Sequence, residues 1–318
     1  MNFINRMTHL RKGGMYLTLL LVVISLLGLS SRGLNLGIDF TGGYITEFST
    51  QSKMEGQSIS QNAMQSLLEK QLNGKFVLSS VSTDQLGASQ WLVRQAHDRK
   101  SNNSQQWLNA LEQSQELNEK ALSITLLDSD FIDSQIGEEL INQGGLALLT
   151  ALLIILFYLA VRFEWRFALG AIIALFHDVI VVIGIFAWSQ LEFNLTVLAS
   201  LLAIIGYSLN DSIIVADRIR ELMKLNQSFK LDELINRAIH STLARTLITS
   251  GTTLATIICV WSLAGAPLYG FSVALFFGII LGTISSVCLS STLPEIFGLD
   301  VNYYLEKEKS FDELMAKN

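Results

Sequence analysis

The chain has 318 residues, half of them hydrophobic and only 16% charged, with a formal net charge of −6 at pH 7 and a mean hydropathy of +0.41. That balance excludes an ordinary soluble globular domain and a nucleic-acid binder held by excess positive charge, and it points to an integral membrane protein. Two cysteines, both inside apolar runs, read as small packing residues, and four histidines without ligand-spaced neighbours offer no metal site.

Residues 1–13 carry Arg6, Arg11 and Lys12 ahead of a first apolar span at 14–32. A basic start and an apolar core also suit a cleaved signal peptide, but Ser30-Ser31-Arg32 lacks a small-x-small cleavage site, so an uncleaved anchor is expected. Residues 33–140 form the next unit, with 7 Lys/Arg against 14 Asp/Glu. Within it, alternation predicts strands at 44–49, 76–81, 90–95 and 121–127. Helical register predicts helices at 58–71, through Ala63, Leu67 and Leu68, and at 104–119, through Trp107, Leu108 and Leu111. The order βαββαβ predicts an α+β ferredoxin-like domain.

Five further runs, at about 141–161, 167–188, 195–216, 246–264 and 270–293, each approach the roughly 20 residues that cross a bilayer as helix. The expected fold is a polytopic α-helical membrane protein of six transmembrane helices, with the α+β domain between the first two and a tail at 294–318. Arg162 and Arg166 lie between the second and third spans, and Arg218, Arg220, Lys224, Lys230, Arg237 and Arg245 between the fourth and fifth. The alternate loops, 189–194 and 265–270, have no Lys or Arg. Positive residues stay cytoplasmic, so both termini are expected inside and residues 33–140 outside.

Charged groups inside the spans carry the functional signal. Asp211 interrupts the fourth span, where a carboxylate costs about 2.5–3.5 kcal/mol at the bilayer centre, and is flanked by Asn210 and Ser212. The fifth span presents Arg245, Thr249, Thr252, Thr253 and Thr256 on one face, and the third places His177 and Asp178 about 15 Å from its start. Threonines in membrane helices also serve as interhelical glue, and His177-Asp178 also suits a structural brace. Gly278 and Gly282 form a GxxxG cue for close packing in the sixth span.

Outside the first span, Gly37-Ile38-Asp39-Phe40-Thr41-Gly42-Gly43 lacks the G-K-[ST] ending and following helix of a phosphate loop. It reads as a turn in which Gly42 and Gly43 supply backbone freedom and Asp39 caps or braces. Together with RFEWRFA at 162–168, His177-Asp178, GYSLNDSIIVADRIRE at 206–221 and RTLITSGTT at 245–253, this motif resembles the SecF family, the smaller membrane subunits of the bacterial SecD–SecF export complex, related to RND transporters. The resemblance runs from the first span to the sixth, with no motif in 52–119.

The resemblance implies a multi-pass protein of the bacterial cytoplasmic (inner) membrane. It implies partners in SecD, the SecYEG translocon, YajC and the translocating preprotein. It implies no covalent catalysis, and no cofactor beyond the proton as coupling ion, with the proton-motive force promoting translocation. It places the proton path on Asp211 and Arg245, with Asp178, His177, Asn210, Thr249 and Thr253 as further candidates. Physically, only a group that changes charge within the field can couple to it, at about 2.3 kcal/mol per 100 mV. Arg245 biases Asp211 toward the carboxylate when near and releases it when far. Alternative readings are an intramembrane aspartyl protease pairing Asp178 with Asp211, an inert translocon scaffold, and an efflux half-transporter with an aromatic pocket around Trp91 and Trp107.

Overall fold

The structure is a computed structural model that describes residues 2–52, 59–72, 76–83, 89–96, 107–108, 111, 122–225 and 229–301. It contains six helices long and apolar enough to cross a membrane. The chain is therefore a polytopic helical membrane protein. Its long helices are α1 (Asn2–Arg32), α4 (Ser134–Arg162), α5 (Trp165–Ser189), α6 (Leu195–Leu225), α7 (Leu231–Leu263) and α8 (Tyr269–Ser285). Between α1 and α4 come β1 (Asn35–Leu36), the single turn α2 (Ile38–Thr41), β2 (Gly43–Ser52), α3 (Gln61–Gln71), β3 (Phe76–Thr83), β4 (Ser89–Ala96) and β5 (Leu122–Ile132).

Strands β2 to β5 pair antiparallel in the order β3-β4-β2-β5. Helix α3 starts three residues later than its expected beginning because Ser60 is the cap, its Oγ accepting the Ala63 N–H at 3.4 Å. Met64, Leu67 and Leu68 of α3 pack with Phe48, Trp91 and Val93 of the sheet. The second expected helix, 104–119, lies outside the described residues except for Trp107, Leu108 and Leu111, which are helical and join the same core. Trp91 and Trp107 are buried in the core of the domain. Trp91 is buried and donates to Thr50 Oγ1 at 2.8 Å, and Trp107 meets Phe48 edge-on at 5.9 Å.

In the membrane part, α5 and α8 are the most buried spans, and no residue in the apolar window of α4 is fully buried, although Leu148, Leu152 and Ile155 pack partly against the bundle. Small residues set the close approaches. Ser25 of α1 lies directly against Gly184 of α5, and Ile204 of α6 directly against Gly278 of α8, so neither glycine has room for a Cβ. The GxxxG in α8 is thus a packing face toward α6. Cys288 packs beside Gly14, but Cys259 is exposed on the outer side of α7, contrary to the packing role expected of it.

The segment from 217 to 245, read from its charges as a connection, is mostly helix. Helices α6 and α7 continue well past a bilayer's thickness and pair through Ile219 and Met223 against Leu234, Ile235, Ala238 and Ile239. The apolar residues at three- and four-residue spacing explain the continuation. At the same end Arg11 of α1, itself buried, binds Asp232 of α7 and Glu295 of the terminal turn α9 (Leu293–Ile296) at 2.5 and 2.8 Å. This basic end of the bundle and the opposite domain end frame the site.

Candidate functional site

Two carboxylates lie inside the bundle in opposite circumstances. Asp178, midway along α5, is fully buried and saturated. Its Oδ2 accepts Ser208 Oγ of α6 at 2.5 Å and Ser285 Oγ of α8 at 2.9 Å, and its Oδ1 lies 2.9 Å from His177 Nδ1. The other imidazole nitrogen, Nε2, lies 3.1 Å from the Thr18 carbonyl oxygen of α1. A carbonyl oxygen only accepts, so Nε2 carries a proton, and the Nδ1–Oδ1 contact holds one more, on either atom. Four helices, α1, α5, α6 and α8, converge on this pair.

Asp211 sits 16 residues into α6, about 24 Å from the domain end at 1.5 Å per residue. It is 6% exposed, yet it makes no hydrogen bond and no ion pair among the described residues. Arg245 of α7 acts on it electrostatically through space but forms no salt bridge with it. A buried charge without partners is the expensive arrangement in a protein interior. No hydrogen bond joins Asp178 to Asp211 among the described residues.

The remaining polar candidates fall on the outer side of α6 and α7. Asn210, Thr252 and Thr256 are exposed, and Thr249 and Thr253 partly so. The threonine hydroxyls donate to carbonyls of their own helix: Thr249 to Arg245, Thr252 to Ile248, Thr253 to Thr249 and Thr256 to Thr252. Tyr207 Oη and Thr253 Oγ1 bridge the two helices at 3.0 Å, and nearer the basic end Arg218 Nε donates to Ser241 Oγ at 3.1 Å.

The glycine motif connects the domain to this helix pair. Gly37 N–H donates to Phe193 O at 2.8 Å, and β1 pairs in parallel with β6 (Glu192–Phe193), the strand that precedes α6. Asp39 Oδ2 accepts the N–H of Leu195, the first residue of α6, at 3.0 Å. Asp39 therefore caps a helix 156 residues away in sequence rather than its own turn. Gly42, at φ +73°, ends α2 in a conformation that favours glycine. Above this junction Arg94 of β4 stands 3.9 Å from Glu192. Burial pushes the Glu192 carboxyl above its ordinary range, Arg94 opposes that shift, and Asp39 adds to it. Sequence reasoning missed Ser208 and Ser285 as ligands of Asp178, and missed Glu192 and Arg94; only the fold brings these residues together.

Comparison with known proteins bears on this geometry. Residues 112–298 match the family model of the protein export membrane protein SecD/SecF, C-terminal, and residues 28–53 match the SecD/SecF GG motif. The SecF subunit of the protein translocase from Vibrio alginolyticus is 35% identical over 305 residues, covering 93% of this chain and 92% of that one. The SecDF subunit from Thermus thermophilus is 38% identical over 280 residues, covering 87% of this chain and 36% of that longer one. A crystal structure of SecDF from Thermus thermophilus, described as a translocon-associated membrane protein, superposes with a TM-score of 0.71 at 36% identity, over 93% of this chain and 38% of that one. The chain belongs to the SecF family of protein-export membrane proteins.

Proposed function

We propose that this chain is an accessory subunit of the Sec translocase that uses the proton-motive force, through Asp211 and Arg245, to promote preprotein movement across the bacterial inner membrane. The observation that carries the reading is the contrast between Asp178, saturated by three contacts, and Asp211, buried and unpartnered with a fixed positive charge acting on it from the next helix. Protonation removes the charge of Asp211 and its pull on Arg245, and deprotonation restores both, so α6 and α7 have two preferred relations. Asn210, Thr249 and Thr253 flank that path, while His177 and Asp178 brace it.

The charge asymmetry of the loops supports both termini inside, with the α+β domain outside. The order β3-β4-β2-β5 in a βαββ-β chain supports a ferredoxin-like sandwich. Movement of α6 reaches that domain through the Asp39 cap and the β1–β6 pair. SecD is the partner that the SecDF relatives suggest. Exposed Asn210, on the same outer side as Tyr207, Thr252 and Thr256 whose hydroxyls are bonded within the chain, presents an amide that lipid cannot satisfy and a second membrane subunit can. SecYEG, YajC and the preprotein complete the assembly in this reading, with no cofactor or metal required.

Proton uptake by proteoliposomes containing the chain with SecD tests the reading. Wild type conducts protons when a preprotein is engaged, and Asp211→Asn does not. Equal conduction by both proteins refutes the assignment.

A further inference from the structure

We propose that the cavity between α4, α6 and α7 at the basic end of the bundle is a binding site for the phosphate headgroup of an anionic phospholipid. The cavity encloses about 320 Å³, and Tyr158, Arg162, Arg218 and Arg245 line it. Each of its two carboxylates faces an arginine of its own helix. Glu221 takes Arg218 at 2.6 Å, and Asp217 faces Arg220 of its own helix at 3.9 Å. Arg162 and Arg245 have no carboxylate within ion-pair distance among the described residues. Arg162 lies over the ring of Phe163 at 5.6 Å, and Arg245 acts on Asp211 only through space.

Two guanidinium groups without counterions, converging on a cavity at the end of membrane spans, match the chemistry of a phosphodiester, which accepts several hydrogen bonds from arginine. Three arginines against two carboxylates leave the lining one positive charge in excess, equal and opposite to a phosphatidylglycerol headgroup. A lipid rather than a soluble phosphate is favoured by what continues from the cavity along α4. Ile154, Phe157 and Val161 are 63, 72 and 73% exposed, and an acyl chain attached to the bound phosphate lies against them. Basic pockets between helices at this level of a bilayer take anionic headgroups, and tyrosine is favoured at the same depth. A bound phosphate competes with Asp211 for Arg245, which makes the lipid a modulator of the proposed proton site.

The site is tested with the full chain co-purified with SecD. The complex is equilibrated with equal amounts of phosphatidylglycerol and phosphatidylcholine of the same acyl chains, and native mass spectrometry reads the retained lipid. Wild type retains phosphatidylglycerol in preference, and Arg162→Gln lowers that retention about fivefold, the equivalent of ~1 kcal/mol for one arginine at the membrane surface. Arg162→Lys keeps most of it. Tyr158→Phe, which removes one rim hydroxyl and keeps the ring, weakens the preference without depending on Arg162 for a folded complex. Equal retention of the two lipids, or unchanged retention in both Arg162→Gln and Tyr158→Phe, overturns the proposal. Displacement of the lipid by inorganic phosphate at equal concentration also overturns it, in favour of a soluble ligand. Arg162 lies outside the proposed proton path, so failure here leaves that reading standing.

Discussion

Replacement of Asp178 distinguishes a brace from a proton carrier. Asp178→Ala removes the acceptor for Ser208 and Ser285 and one partner of His177. Ser285 has a second acceptor in Gly282 O at 3.1 Å, so the stranded groups are the Ser208 hydroxyl and the imidazole Nδ1. Hydrogen bonds between membrane helices contribute about 0.6 kcal/mol on average and at most about 1.7. A buried polar group left without a partner adds roughly 1–3 kcal/mol. The alanine variant therefore loses about 2–4 kcal/mol. Asp178→Asn should retain every contact. Its carbonyl accepts both serines, its amide donates to Nδ1, and the neutral imidazole still donates from Nε2 to Thr18. Thermal unfolding of the purified protein in detergent is predicted to place Asn within about 0.5 kcal/mol of wild type and well above Ala, a gap larger than the mean membrane hydrogen bond. If Asn is as damaging as Ala, the negative charge itself is required, and the bracing argument fails.

Three other outcomes follow from the same geometry. Asp39→Ala removes the cap on α6 and should lower stability by about 0.5–2 kcal/mol; Asp39→Asn, which keeps an acceptor, should recover most of it in the same unfolding assay. The raised Glu192 carboxyl means that the folded state prefers the neutral form, so the charge opposes folding above the ordinary value of 4.5. Glu192→Gln should accordingly melt higher than wild type at neutral pH, and the difference should close as pH falls below that value; a variant less stable at neutral pH shows that the Arg94 pair outweighs burial. Arg162→Gln should lower the selective retention of phosphatidylglycerol about fivefold, as the electrostatics of one surface arginine require.

The spans were legible because the hydrocarbon imposes composition over long windows, and the βαββ strand pattern because alternation is local. Asp211 stood out for the same reason, as a charge in a window that tolerates few. What the sequence concealed is the pairing of distant groups. Ser208 and Ser285 look like ordinary small residues until α6 and α8 close around Asp178. Asp39, expected to brace its own turn, instead caps a helix that begins 156 residues later, since nothing local encodes the β1–β6 contact that brings them together. The continuation of α6 and α7 beyond the membrane was masked by its lysines and arginines, although Ile219, Met223, Leu234 and Ile235 carry the helical spacing that buries it. The threonine stripe on α7 announced a polar face but not its direction, and the structure turns Thr252 and Thr256 outward.

The central claim, that Asp211 couples the proton gradient to translocation, is tested most directly by export of a secretory preprotein into vesicles containing the complete complex, with and without an imposed proton gradient. Wild type is compared with Asp211→Asn at equal assembly with SecD. The account predicts that the gradient accelerates export by wild type and that the acceleration attributable to this complex is lost in the variant. Acceleration preserved in full by Asp211→Asn contradicts it and leaves this chain as a scaffold whose buried aspartate has no part in the drive.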